Sequence, residues 1–150
     1  MQIKLSLFQI SKILKEKGYL PTIDEDNQQF FIIHKIDEME LPLFFKVASS
    51  FQHIQVIAYL PIKVDPEVYN DVARLLHQIN CEIDVPGFGL EEKEGMIMFR
   101  IFVPCQNGYC TSEFVLSFID VIHRAFESYK NLILAVVEKE TTLDEILAKA

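Results

Sequence analysis

Residues 30–60 read FFIIHKIDEMELPLFFKVASSFQHIQVIAYL, and this stretch decides the fold. Phe30 to Ile36, Leu43 to Ala48 and Ile54 to Leu60 are dense in β-branched and aromatic side chains, which fit a pleated surface. Pro42 stands at the margin of one run, Ser49-Ser50 make a polar break, and Pro61 follows the last run. Short links between such runs predict three consecutive antiparallel strands. In the first of them Phe30, Ile32, His34 and Ile36 fall on one face and Phe31, Ile33 and Lys35 on the other. Both faces are largely apolar, whereas a sheet covered on one side alternates apolar with polar residues. The second face therefore calls for a cover, supplied either by the chain's own helices or by a partner.

The flanking segments read as helices and one further hairpin. Ser6-Leu7-Phe8-Gln9 is a capping box with Leu5 and Ile10 placed as a hydrophobic staple. Leu7, Ile10, Ile13 and Leu14 then share one face until Gly18, so a helix is predicted over about Leu7 to Lys17. A short strand is expected at Thr22 to Asp24, before the polar turn Asp24-Glu25-Asp26-Asn27. Asp65-Pro66-Glu67 starts a second helix, which ends near Asn80 and buries Val68, Val72, Leu75, Leu76 and Ile79. Phe88 to Glu91 and Met96 to Val103 flank the turn Glu92-Lys93-Glu94-Gly95 as a hairpin, stopped by Pro104 and the Asn107-Gly108 loop.

Thr111 or Ser112 opens the longest helix. Its polar residues, Glu113, Ser117, Asp120, Arg124, Glu127 and Asn131, form only a narrow stripe. Phe114, Phe118, Ile122, Phe126, Tyr129, Ile133 and Val137 cover more of its circumference than one sheet contact needs. A last capping box, Thr142-Leu143-Asp144-Glu145, marks a helical tail from about 141. The order α-βββ-α-ββ-α describes an α+β domain over residues 1–150, an antiparallel sheet with helices packed on it.

Composition narrows the function. Lys and Arg number 14 against 22 Asp and Glu, a net charge of −8, which repels phosphate backbones and anionic membranes and excludes nucleic acid and membrane as expected partners. Three Cys at irregular spacing read as reduced thiols in a cytoplasmic protein. The N-terminus lacks the form of a signal peptide, because Ser6 and Gln9 interrupt its apolar run and Lys12 and Lys15 follow. Apolar runs such as Leu132 to Val137 fall far short of the roughly 18 residues that span a bilayer.

Motifs for chemistry are weak. His77 with Cys81 and Cys105 with Cys110 do not make the paired clusters of a structural zinc site. No base adjoins a Cys in sequence, and Cys81 follows a helix C-terminus, where the dipole disfavours a thiolate. A calcium loop begun at Asp24 would have Gln29 where Gly is needed and Lys35 where Glu is needed. Gly87-Phe88-Gly89 lacks the third Gly and the Lys of phosphate loops. No catalytic residue, cofactor or metal is therefore expected, and a thiol-dependent enzyme is the outside alternative.

Leu75-Leu76-His77-Gln78-Ile79-Asn80, then Gly87-Phe88-Gly89-Leu90-Glu91, Gly95 and Phe99-Arg100, followed by a long apolar helix, resemble the YbjN family. These are called bacterial sensory transduction regulators, with a fold shared with type III secretion chaperones. With the element order, the likeness spans about residues 5 to 137. The resemblance implies a non-enzymatic protein that dimerises and holds segments of a client or effector against apolar sheet and helix surfaces, or a regulator acting through a signalling partner. Mapped by element, it implies a homodimer contact through Val68, Val72, Leu75 and Leu76, and partner binding through Leu7, Ile10, Ile32 and Phe44. The Cys-containing loop at residues 105–110 and the tail from Thr141 to Ala150 lie outside that likeness.

Overall fold

A computed structural model describes residues 2–48 and 52–150. The Ser49-Ser50 break lies outside the described residues. Three consecutive strands form, β3 (Gln29–Ile36), β4 (Met39–Val47) and β5 (His53–Tyr59), preceded by the short β2 (Thr22–Asp24); β4 begins well before the predicted Leu43 and takes in Pro42, which pairs with Ile33 instead of marking the strand's margin. The later hairpin comprises β6 (Phe88–Glu91) and β7 (Met96–Pro104). Together they make a six-stranded antiparallel sheet in the order β2-β3-β4-β5-β7-β6. A separate two-stranded ribbon pairs β1 (Gln2–Lys4) with β8 (Tyr109–Thr111). The sequence reading contains neither strand of the ribbon, since three residues are too few to show alternation and their partner lies a hundred residues away.

The first helix, α1 (Leu7–Glu16), is capped by the Ser6 hydroxyl, which accepts from the Gln9 amide at 3.2 Å. It ends where Gly18 takes φ +93° and the Tyr19 amide donates back to the Leu14 carbonyl at 3.0 Å, closing the left-handed stop that Gly supplies without strain. The Asp65-Pro66-Glu67 start forms a tight 3₁₀ turn (Pro66–Val68), and regular helix α2 runs Tyr69–Glu82. The long helix α3 (Ser112–Val137) is capped by Thr111, and the tail helix α4 (Leu143–Ala148) by Thr142. Phe114, counted from its spacing among the covering residues of α3, is 42% exposed, its ring resting on the edge of Phe118.

All the interior lies on one side of the large sheet. Phe30, Ile32 and Ile36 of β3, Leu41, Leu43, Phe45 and Val47 of β4, and Ile54, Val56 and Ala58 of β5 are buried, as are Phe88, Ile97, Phe99 and Ile101 of the hairpin. They pack with Ile10 and Leu14 of α1, Val72, Leu75, Leu76 and Ile79 of α2, and Val115, Ile122, Phe126 and Ile133 of α3. Aromatic rings lock the two ends of this layer: Phe30 stacks on Phe45 at 5.0 Å, and Phe88 meets Phe99 and Phe126 edge-on at 4.8 and 5.3 Å.

Two local devices hold the hairpin and the tail. The Asn80 side chain donates to the Phe88 carbonyl at 2.9 Å and accepts from the Gly87 and Phe88 amides, satisfying the outer edge of β6 where no further strand pairs. Gly87 must be Gly, because a Cβ there would sit 2.5 Å from the Arg100 carbonyl oxygen. We expect Asn80→Ala to lower stability by about 2 kcal/mol in urea denaturation, through edge amides left unpaired; an unchanged midpoint would show that water replaces the clamp. The tail is clamped as well, with Lys139 reaching Asp65 and Glu67 at 3.1 and 2.8 Å and Leu143 buried beside α2.

Candidate functional site

Among the described residues, no helix packs on the opposite face of the large sheet. Its side chains come from the alternate positions, and the register sets them in rows: Phe31, Phe44, Ile57 and Arg100 lie side by side across β3, β4, β5 and β7. Ile33 stands opposite Pro42, Tyr59 opposite Met98, and Lys46 beside Gln55 and Phe102. Phe31 and Phe44 touch at 5.2 Å between ring centroids, and Phe44 meets Tyr59 edge-on at 5.7 Å. Ile33 and Phe102 are 44% and 56% exposed, while Phe31, Phe44, Ile57, Tyr59 and Met98 are half-buried by one another rather than by a second layer. Contiguous apolar surface of this kind marks an interaction site in a folded chain.

A second apolar feature is a groove between the start of α1 and the edge strand β2, lined by Leu7, Ile23 and Val47 with Asp24 and Glu25 at its rim. Ile23 there is 60% exposed. Phe8, on the same helix turn as Leu7, is 72% exposed.

The residues implied by the resemblance separate under this geometry. Val72, Leu75 and Leu76 of α2, Ile10 of α1 and Ile32 of β3 are buried inside the single chain, so none is presented to a partner by a folded copy. Val68 is partly buried at the start of α2, Leu7 lines the groove, and Phe44 lies on the open face. Ile32 and Phe44 belong to opposite faces of one sheet, since Ile32 pairs with Leu43 and Phe31 with Phe44. Sequence reasoning missed Ile57, Met98, Arg100 and Phe102. Their alternation is visible in the sequence, yet which parity turns outward becomes known only when the helices choose a side.

Polar chemistry gathers at one place, where the end of α1, β3 and α3 meet. The Tyr19 hydroxyl lies 2.8 Å from His34 Nδ1, His34 Nε2 lies 2.9 Å from His123 Nδ1, and His123 Nε2 faces Glu127 at 3.5 Å. One set of protons satisfies the chain: Tyr19 donates to His34, His34 to His123, and His123 toward Glu127. Burial, then the neighbouring His123, pushes the His34 pKa below the usual histidine value against the pull of Asp120. Burial and the Asp120 carboxylate push the Tyr19 hydroxyl up, which makes it a poorer nucleophile.

The sign of the linkage follows. The unfolded chain takes the His34 proton first as pH falls below about 6.5, so stability is fully present above that value and is lost on the way down to the lowered folded pKa. We expect the urea midpoint of the native chain to drop between pH 6.5 and 5, and His34→Gln to flatten that slope; equal slopes would mean the drop arises elsewhere.

The thiols divide likewise. Cys81 Sγ lies 3.8 Å from His77 Nε2 on an exposed stretch of α2. Cys105 and Cys110 are buried and neighbour one another; burial first, then Cys105, pushes the Cys110 thiol up to about 11, so it stays protonated at neutral pH. Among the described residues no group of three or more His, Cys, Asp or Glu is arranged to hold a metal ion. No helix among them is long and apolar enough to cross a membrane.

With this geometry in view, the chain matches one family model over residues 6–135, from the α1 cap to the last turns of α3, the family described as "Putative bacterial sensory transduction regulator". The chain belongs to the YbjN family. Within this YbjN chain the matched span takes in Asn80, the Gly87 hairpin and every strand of the large sheet, and it stops before the tail helix. No curated protein matches the chain.

Proposed function

We propose that this YbjN protein is a non-enzymatic regulator that works by docking another polypeptide, in the manner of a type III secretion chaperone or of a regulator with a signalling partner. The observation that carries the reading is the sheet's open face, an apolar band centred on the half-buried Phe44 and Ile57 on which, among the described residues, no helix packs. Binding there would bury aromatic and aliphatic anchors against a pleated surface, and such side chains supply most of an interface's energy. The Tyr19–His34–His123–Glu127 chain serves structure in this reading, tying α1, β3 and α3 together.

A photoreactive phenylalanine analogue at position 44, activated in cells making the protein, is expected to give a covalent adduct with a polypeptide. The same analogue at the buried position 45 is the control. Failure of position 44 to give any polypeptide adduct would overturn the reading.

A further inference from the structure

We propose that Cys105 and Cys110 form a peroxide-responsive pair, in which Cys105 takes up the oxygen and Cys110 closes a reversible disulfide. Both thiols are buried in the interior rather than placed on the open sheet face, so the proposal is independent of the docking reading.

The turn after β7 brings the two thiols together. Gln106–Gly108 make one 3₁₀ turn with Asn107 and Gly108 at φ 58° and 74°, and the Gly108 amide donates to the Cys105 carbonyl at 3.2 Å. The chain doubles back there, and β8 returns Cys110 to the interior beside Cys105. The two are 4% and 7% exposed, and each thiol lies within hydrogen-bond reach of the other. Both positions are pinned by backbone: the Cys105 amide donates to the Gln52 carbonyl at 2.6 Å, and Cys110 pairs with Ile3 of β1. Sulfurs held in contact make the closing step intramolecular, which is its main kinetic advantage.

The surroundings assign the roles. A surface hollow walled by Gln52, His53, Pro104, Gln106 and Asn107 reaches Cys105, and Cys110 does not line it. Burial raises both thiols, but their mutual hydrogen bond favours a thiolate at Cys105 and disfavours one at Cys110. Cys105 is therefore the sulfur that meets the oxidant. It attacks one oxygen of the peroxide, the O–O bond breaks, and a sulfenic acid and water form, with two electrons passing from sulfur to peroxide. The Cys110 sulfur then attacks Cys105, and its proton leaves with the sulfenic hydroxyl as water while an S–S bond replaces the S–O bond. Exchange with an external thiol returns the pair to its reduced form. The disulfide fastens the end of β7 to β8. The Gly108 carbonyl beside it accepts from the Leu5 amide at 2.8 Å, just ahead of the Ser6 cap, so oxidation also secures the start of α1.

The test treats the full chain carrying Cys81→Ser, which removes the exposed thiol, with hydrogen peroxide under native conditions, circular dichroism confirming the fold. The intact mass is expected to fall by about 2 Da, the two hydrogens lost, with a Cys105–Cys110 cross-link in the digest that dithiothreitol reverses. Adding Cys110→Ala should abolish that loss and leave Cys105 as a sulfenic acid that dimedone captures, whereas adding Cys105→Ala should leave Cys110 unlabelled. Should either variant fail to fold, dimedone present from the start of the reaction on the Cys81→Ser chain reads the order, with label expected at Cys105. A folded chain that stays reduced, gains oxygen without the cross-link, or joins only between copies would overturn the proposal. Dimedone on Cys110 in place of Cys105 would overturn the assigned roles.

Discussion

Aspartate at position 32 is expected to unfold the chain, while aspartate at position 44, on the opposite face of the same sheet, leaves it folded. Ile32 is 0% exposed and packs between strands and helices, so Ile32→Asp removes a full aliphatic side chain and places an unpaired carboxylate in an apolar layer. Losing the side chain alone costs about 2–5 kcal/mol, and the uncompensated charge adds several more, together comparable to the roughly 5–15 kcal/mol total stability of a domain. Phe44 is only half-buried, its ring leaning on Phe31 and Tyr59 at the surface, so a charge there stays hydrated. Far-UV circular dichroism and urea titration read both. A folded Ile32→Asp variant would mean that the inward row of β3 is not core.

The second large effect belongs to the tail. Leu143 is 1% exposed and seats the tail helix on the start of α2, so Leu143→Ala is expected to destabilise the chain by about 3 kcal/mol through the cavity it leaves. Lys139→Ala should have much less effect, although its ammonium reaches both Asp65 and Glu67, because that pairing is exposed and screened. The ordering of the two is the prediction. If Lys139→Ala proved the more damaging in a denaturant titration, the tail would be held by charge rather than by packing. The tail and its clamp on α2 lie beyond the residues that the family model matches.

The sequence shows its helices most clearly where caps and stripes coincide. Ser6 with Gln9 and Thr142 with Glu145 form the hydrogen bonds their spacing announces, and the meander and hairpin follow from runs of strand formers between turn residues. The ribbon of β1 with β8 is illegible because its pairing is set by the whole fold. The two-sided apolarity of the strands is visible in the sequence, but not which side is buried. That choice is made when α1, α2 and α3 all settle on the Ile32 side and leave Phe31, Phe44 and Ile57 outside. The elements that the family resemblance pointed to are therefore present, while Val72, Leu75, Leu76, Ile10 and Ile32 lie within the core they build. The Tyr19–His34–His123 chain has no local signal, joining residues 15 and 89 positions apart.

The most direct measurement is residue-resolved hydroxyl-radical footprinting of the folded chain at nanomolar dilution. The account predicts strong labelling of Phe31, Ile33, Tyr59, Met98 and Phe102, with Phe30, Phe45, Phe99 and Phe126 protected. Equal protection of both rows in the dilute chain would show that the protein covers its own sheet, and the docking face would not exist.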